Sequence, residues 1–320
     1  MKKILGLATA ALLATACGPD FQAGVPSKEM VEVQAPGGNA QALMSSEVGS
    51  AKNALSGQGN RADSYVLTRG ATSGVNGGTV FVLTLLGAIT DHQPTSRDGN
   101  TAVWGPYTDS LSPNTWKLTV THQGGQSYSY ALEGKAKDAP DSAFVTVLSG
   151  THNAVSRKVG HGEFLLDWDA AATLPEHDTN IGSALITYGN DGQNGAVAVT
   201  ARFEGVLDQD TGLRVNANYA YAAVPAVGGA FEFGIRKNAN PQDGTTLENF
   251  TIKSRWLTSG AGRADAQVSG GDLGANQATW NECWNTDFNS TFLAVSFDPS
   301  VGYGTEATDC AIQGAEYSSL

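Results

Sequence analysis

This chain is short of charge, and of positive charge above all. Charged residues make up 16% of its 320 residues, and 19 lysines and arginines stand against 31 aspartates and glutamates, a net charge of −12. A balance that acidic offers no concentrated basic patch, which argues against nucleic acid as a partner. Histidine is scarce too: His92, His122, His152, His161 and His177 are scattered, and none follows His177. No His-Glu-x-x-His motif and no Gly-x-Ser-x-Gly elbow occurs, so neither a zinc-peptidase helix nor a hydrolase nucleophile turn is legible. Only three cysteines are present, Cys17, Cys283 and Cys310. Beyond the N-terminus no stretch approaches the ~20 apolar residues a membrane-spanning helix needs.

What is present starts at the N-terminus. Met1-Lys2-Lys3 is a short positive segment, and Ile4 to Ala16 is apolar or small. That core is too short to cross a ~30 Å hydrocarbon layer and reads as a signal peptide, residues 1–16. Ala14-Thr15-Ala16 suits a cleavage site, but the next residue is Cys17. The stretch Leu13-Ala14-Thr15-Ala16-Cys17 resembles the lipobox of bacterial lipoproteins, with Ala14 where that family prefers leucine. The resemblance implies that Cys17 carries acyl chains such as palmitate and becomes the N-terminus of the mature chain. The implied partner is then the membrane, through the lipid. Each buried CH₂ contributes ~0.8 kcal/mol, so several chains make a firm anchor. Gly18, rather than aspartate, follows the cysteine, which in Gram-negative lipoproteins implies the outer membrane more than the inner.

With Cys17 assigned to lipid, Cys283 and Cys310 remain as an even pair in an oxidising compartment. A disulfide between them would close a loop of about 28 residues and contribute about 3 kcal/mol in the chain-entropy model. Two free thiols or a metal site are the alternatives.

Residues 17–39 mix Pro, Gly and charge without periodicity and read as a lipidated tether, leaving 40–320 as one β-rich domain. Ala40, Leu43, Val48, Ala51 and Leu55 recur at helical spacing, closed by Gly57 to Asn60. Residues 79–91 are the most apolar stretch of the mature chain. They follow an Asn76-Gly77-Gly78 turn, and Thr79 is placed to cap a buried helix. From Thr101 onward the pattern is alternation: Trp116, Leu118, Val120; Tyr128, Tyr130, Leu132; Val197 to Phe203; Leu213 to Tyr221; Phe231 to Ile235; Phe250 to Trp256; Leu293 to Phe297. Period two with one polar face means antiparallel strands, and the short Gly- and Asp-containing links mean a meander. The fold class predicted is mainly β, a long antiparallel meander of about ten strands forming a curved sheet or half-barrel packed on one or two N-terminal helices. In element order alone this resembles the lipoprotein-carrier half-barrels of bacterial envelopes. A closed lipocalin-like barrel or a β-sandwich stays open, whereas outward Arg202, Glu204, Arg214, Lys253 and Arg255 argue against a lipid-facing barrel wall.

Potential chemistry gathers in LLDWDAAATLPEHD. Asp167 and Asp169 are expected on one face of a strand, with Glu176, His177 and Asp178 following and His161 approaching if the strand pairs back. Paired carboxylates there could hold a cation or act in acid/base work. Asp208 and Asp210, with Gly212, have the opening of a calcium loop, although Asp and Gly also suit a plain hairpin turn. Ser259 to Asp265 reads as a bend between strands, with Arg263 and Asp265 paired. Trp104-Gly105-Pro106-Tyr107, Trp280 and Trp284 seal a core edge or line a ligand mouth. No cofactor and no catalytic residue is assigned. The expected function is a lipid-anchored envelope protein, a binding or structural module with room for an apolar ligand; the alternatives are a metal-dependent hydrolase built on the Asp167–His177 cluster or a surface adhesion and assembly protein.

Overall fold

The computed structural model describes residues 19–37, 56–156, 158–177, 179–192, 195–208, 212–238 and 246–320. Alternation organises nearly all of it. The strands are β1 (Ser96–Asp98), β2 (Thr101–Tyr107), β3 (Asn114–Gly124), β4 (Ser127–Ala136), β5 (Val145–Ser156), β6 (Val159–Asp167) and β7 (Ser183–Asn190). They continue as β8 (Val197–Leu207), β9 (Arg214–Val224), β10 (Gly228–Lys237), β11 (Glu248–Leu257), β12 (Gly262–Gly270), β13 (Gln277–Trp284) and β14 (Ser290–Val295). All fourteen form one antiparallel sheet in sequence order, and β1 and β14 do not pair, so the sheet is open. The mainly-β meander is as the sequence predicts, with more strands than expected.

One face of the sheet is mostly apolar, as period two requires, with a few buried polar side chains such as His152, Ser254 and Glu282. Leu118, Tyr130, Phe164, Ile186, Tyr219, Phe231, Ile252 and Trp284 from successive strands belong to one buried cluster. Large rings on this face lie over glycines directly across the ladder: Trp116 over Gly134, Tyr130 over Gly150, Tyr188 over Gly162, Trp256 over Gly229, Trp284 over Gly262. A Cβ on any of those glycines would meet the ring at less than 3.0 Å. The glycines therefore make room for aromatic bulk on the face that other elements must cover.

The main covering element is α1, Asp63–Thr90. It crosses the strands. Its first turn meets β13, where Glu282 accepts the Ser64 N–H at 2.8 Å and Tyr65 lies 6.0 Å from the Trp284 ring. One turn on, the Thr68 and Ser254 hydroxyls bond at 2.6 Å across to β11. Just past its C-terminus, the Trp104 indole of β2 donates to the His92 carbonyl at 2.8 Å. A 28-residue helix is about 42 Å long. The eleven interstrand steps from β13 to β2 measure about 53 Å along the sheet. The sheet curves around the helix, and the helix is the chord.

The first helical boundary departs from expectation. Gly77-Gly78 is no turn, and Thr79 is no cap: the helix runs through both, and the Thr79 hydroxyl donates back to the Val75 carbonyl at 2.8 Å. Each helical glycine costs about 1 kcal/mol against alanine. Here the burial of Tyr65, Thr68, Thr72, Val75, Leu83 and Leu86 on the same helix outweighs that local preference. The helix expected over 40–55 lies outside the described residues.

That second segment is residues 19–37, which the sequence reads as part of a tether. Instead Phe21, Val25, Met30, Val31 and Val33 are all buried, so 19–37 is a strap packed in the concave face beside α1. It runs antiparallel to the helix. Gln22 donates to the Thr90 carbonyl, Val33 is held by Asn76, and Pro36 accepts from Arg69. Strap and helix form a hairpin laid across the sheet, out along the strap and back along α1. The strap carries no periodicity because its neighbours change at every step: a helix on one side, a succession of strands beneath.

On the opposite, outer face the C-terminal segment crosses from β14 to β10. It includes the short helix Glu306–Asp309, and the Cys283–Cys310 disulfide pins it to β13.

Candidate functional site

Asp167, the last residue of β6, caps the four-residue helix α2 (Trp168–Ala171), its carboxylate accepting the Ala170 N–H at 2.8 Å. Asp169 lies within α2, so the two carboxylates do not share a strand face. It grips Arg214 of β9 through both guanidinium nitrogens at 2.9 Å and accepts the Gly182 N–H at 2.9 Å. The Arg214 guanidinium, then the Gly182 amide, holds the Asp169 carboxyl down at about 2. Asp169 thus fastens the β6–β7 connection to the start of β9, while Asp167 acts locally on α2. Glu176 offers its carbonyl to Asn114 at 2.8 Å, and Asp178 lies outside the described residues. His177 follows Glu176 in the same loop, and His161 sits at the other end of β6, about 20 Å from Asp167 along the strand. The structure does not bring His161 to the cluster.

Asp208 ends the β8 side of its hairpin and pairs with Lys237 at 3.5 Å, while the Gly212 N–H closes the turn on the Asp208 carbonyl at 2.8 Å. Asp210 lies outside the described residues. Among the described residues, no three His, Cys, Asp or Glu side chains are grouped so as to hold a metal ion.

Trp104 and Trp284 close the core. Trp284 is buried, with its indole N–H donated to the Gly260 carbonyl at 2.9 Å, and Trp104 is fastened to His92 as above. The bend between β11 and β12 is as expected, and so is the Arg263–Asp265 pair, at 2.7 Å. The sequence could not show what surrounds that pair. Arg263 also donates to Glu306, Arg255 to Asp265 and Glu316, and Asn281 to Asp265. This network lies on the outer sheet face, buried beneath the C-terminal segment. A buried pair of charges is tolerable only when its remaining donors and acceptors are met, and here Arg255 and Asn281 of the sheet share that task with Glu306 and the Glu316 N–H of the covering segment.

Two shallow troughs mark the outer face. The larger, about 630 Å³, crosses the ends of six strands. Its floor is one row of the ladder, with His161, Gly189, Ala198, Ala222, Ala230 and Arg255 on β6 to β11 directly opposite one another in turn. The smaller, about 410 Å³, is lined by hydroxyls, Thr119, Thr121, Ser149 and Thr151, with Glu163. The alternation marks these residues as outward; only the register puts the small ones in a row.

Sequence reasoning also missed His152. It lies on the inner face of β5, 2% exposed, with Nδ1 2.9 Å from the Tyr188 hydroxyl. Burial pushes its pKa down to about 4.

No protein-family model, no curated protein and no solved structure matches this chain.

Proposed function

We propose that this chain is a lipid-anchored bacterial cell-envelope protein, attached through Cys17 to the outer membrane, which works through the outer face of its sheet as an adhesion or assembly module. The observation that carries this reading is the filled concave face. In a half-barrel carrier that face would hold the apolar ligand; here α1 and the strap occupy it with the protein's own Phe21, Met30, Val31, Val33, Leu83 and Leu86. Assembly would use the outer face rather than strand addition. The β14 edge is covered by paired bonds between Leu293 and Tyr303, and by Asn60 against Ser290. β1 is only three residues long.

Native mass spectrometry after gentle extraction tests this directly. The expected result is one mass, that of the chain from Cys17 with its acyl chains and nothing else bound. A co-purifying apolar molecule would overturn the module reading in favour of a carrier. The Ala-floored trough of about 630 Å³ is the more apolar of the two on the outer face, and Ala222→Lys would then abolish retention of such a ligand there. The hydrolase reading gains no support, since Asp167 and Asp169 are engaged in capping and in the Arg214 pair.

A further inference from the structure

Resting on the acylation of Cys17, we propose that the β1–β2 edge of the sheet is the side this protein turns to the bilayer, with Tyr107 and Leu111 placed in the lipid headgroup layer. The argument starts from where the body begins. The Pro19 carbonyl accepts a hydrogen bond from Arg97 of β1 at 2.7 Å, and the Arg97 guanidinium stands 4.6 Å over the ring of buried Phe21. The chain is therefore fixed to this edge from its first described residues. Only Gly18 separates Cys17 from Pro19, and two residues reach at most about 7 Å. A lipid on Cys17 would hold this edge at the membrane surface with no tether between. The opposite edge, beyond β14, lies a full helix length away across the sheet.

The edge has the side chains for such a place. β1 covers only Thr101–Val103 of β2, so Trp104–Tyr107 is itself the border of the sheet. Tyr107 is 66% exposed and Leu111, in the loop that follows, is 93% exposed, the most exposed large apolar side chain among the described residues. An aromatic ring with a polar tip and a leucine beside it suit the boundary between headgroups and hydrocarbon. Asp91, Asp98 and Asp109 are exposed on the same side. Charge therefore does not draw this edge to an anionic leaflet, and the acyl anchor must hold it there.

The experiment uses the full acylated chain in vesicles of phosphatidylethanolamine and phosphatidylglycerol, with and without brominated lipid. Leu111→Trp and Phe297→Trp are compared, since Phe297 is also exposed, at 69%, but follows β14 at the opposite edge. The mass of the N-terminal peptide is read on the same samples. The expected result is added emission from position 111 that is quenched severalfold more strongly by brominated lipid than that from position 297. An acylated Cys17 with no quenching at 111, or with equal quenching at 297, overturns the docking edge and leaves the anchor standing. An unmodified Cys17 overturns the anchor, and the docking edge with it.

Discussion

Replacing Asn76 with alanine removes the central hydrogen-bonded link between α1 and the strap, leaving those of Gln22 to Thr90 and Arg69 to Pro36. The Asn76 amide accepts the Val33 N–H at 2.9 Å and donates to the Val33 carbonyl at 2.7 Å, closing a two-bond ring of the kind a neighbouring strand would make. Val33 is fully buried, so water cannot take over either bond. Leaving a buried polar group unpaired costs about 1–3 kcal/mol, so two cost about 2–6 kcal/mol. Alanine returns about 0.5 kcal/mol as the better helix former, for a net loss of about 1.5–5.5 kcal/mol. In a chain of this size that lowers Tm by about 2–9 °C. Asn76→Asp keeps the acceptor, loses the donor and sets a carboxylate beside the Val33 carbonyl, so it is no better tolerated. Differential scanning calorimetry measures the loss, and limited proteolysis locates it, with the first new cleavages expected inside 19–37. An Asn76→Ala protein within about 0.5 kcal/mol of the parent, with the strap still resistant, would refute the reasoning.

Three further outcomes follow from the same structure. Replacing both Cys283 and Cys310 with serine should cost about 3 kcal/mol, and a thermal scan that is unchanged by reductant in the parent would contradict it. Arg214→Ala should return the Asp169 titration from about 2 toward its ordinary 3.8. Because that folded pKa is depressed, the pair stabilises above the ordinary carboxylate value and is lost as pH falls through the folded one; an NMR midpoint that stays low in the variant would show that Arg214 is not the cause. His152 is neutral in the fold and titrates at about 4 against an ordinary 6.5, so the unfolded chain takes the proton first. Stability is then full above the ordinary value and declines by about 3 kcal/mol as pH falls toward the folded one. His152→Phe should flatten that slope, and an equal slope in the variant would remove His152 as its source.

The sheet was legible because one variable, alternation, is set by one cause, a single buried face. Trp116, Leu118 and Val120 point inward whatever strand lies beside them, so no knowledge of the neighbour is needed. The helix was half legible. Its apolar second half, residues 79–90, reads as a buried helix, yet only one side of it is buried: Leu83 and Leu86 are covered while Leu85 is 41% exposed. Its first half carries Gly70, Gly74, Gly77 and Gly78, which local preference reads as turns. Gly74 is exposed and a Cβ there would meet nothing within 4 Å, so no close approach demands a glycine; the helix holds because Tyr65, Thr68, Thr72, Val75, Leu83 and Leu86 of the same rod are buried. The strap itself left no trace in periodicity. Among the candidate residues, the cysteine pair was readable from parity and compartment. Asp169 was misplaced because a four-residue helix interrupts the chain where β6 was expected to continue. The Arg263–Asp265 pair could be guessed from spacing, whereas its burial depends on Glu306 and Glu316, some forty to fifty residues further on.

The central claim is that this protein fills its own concave face. Amide hydrogen exchange across residues 21–35 tests it most directly. The account predicts that the amides of Val33 and Gln34, held by the Asn76 side chain and the Tyr221 hydroxyl, exchange nearly as slowly as the central strands β6 to β9. Exchange of the whole strap at the rate of an exposed loop would mean that the concave face is open, and the account would fall.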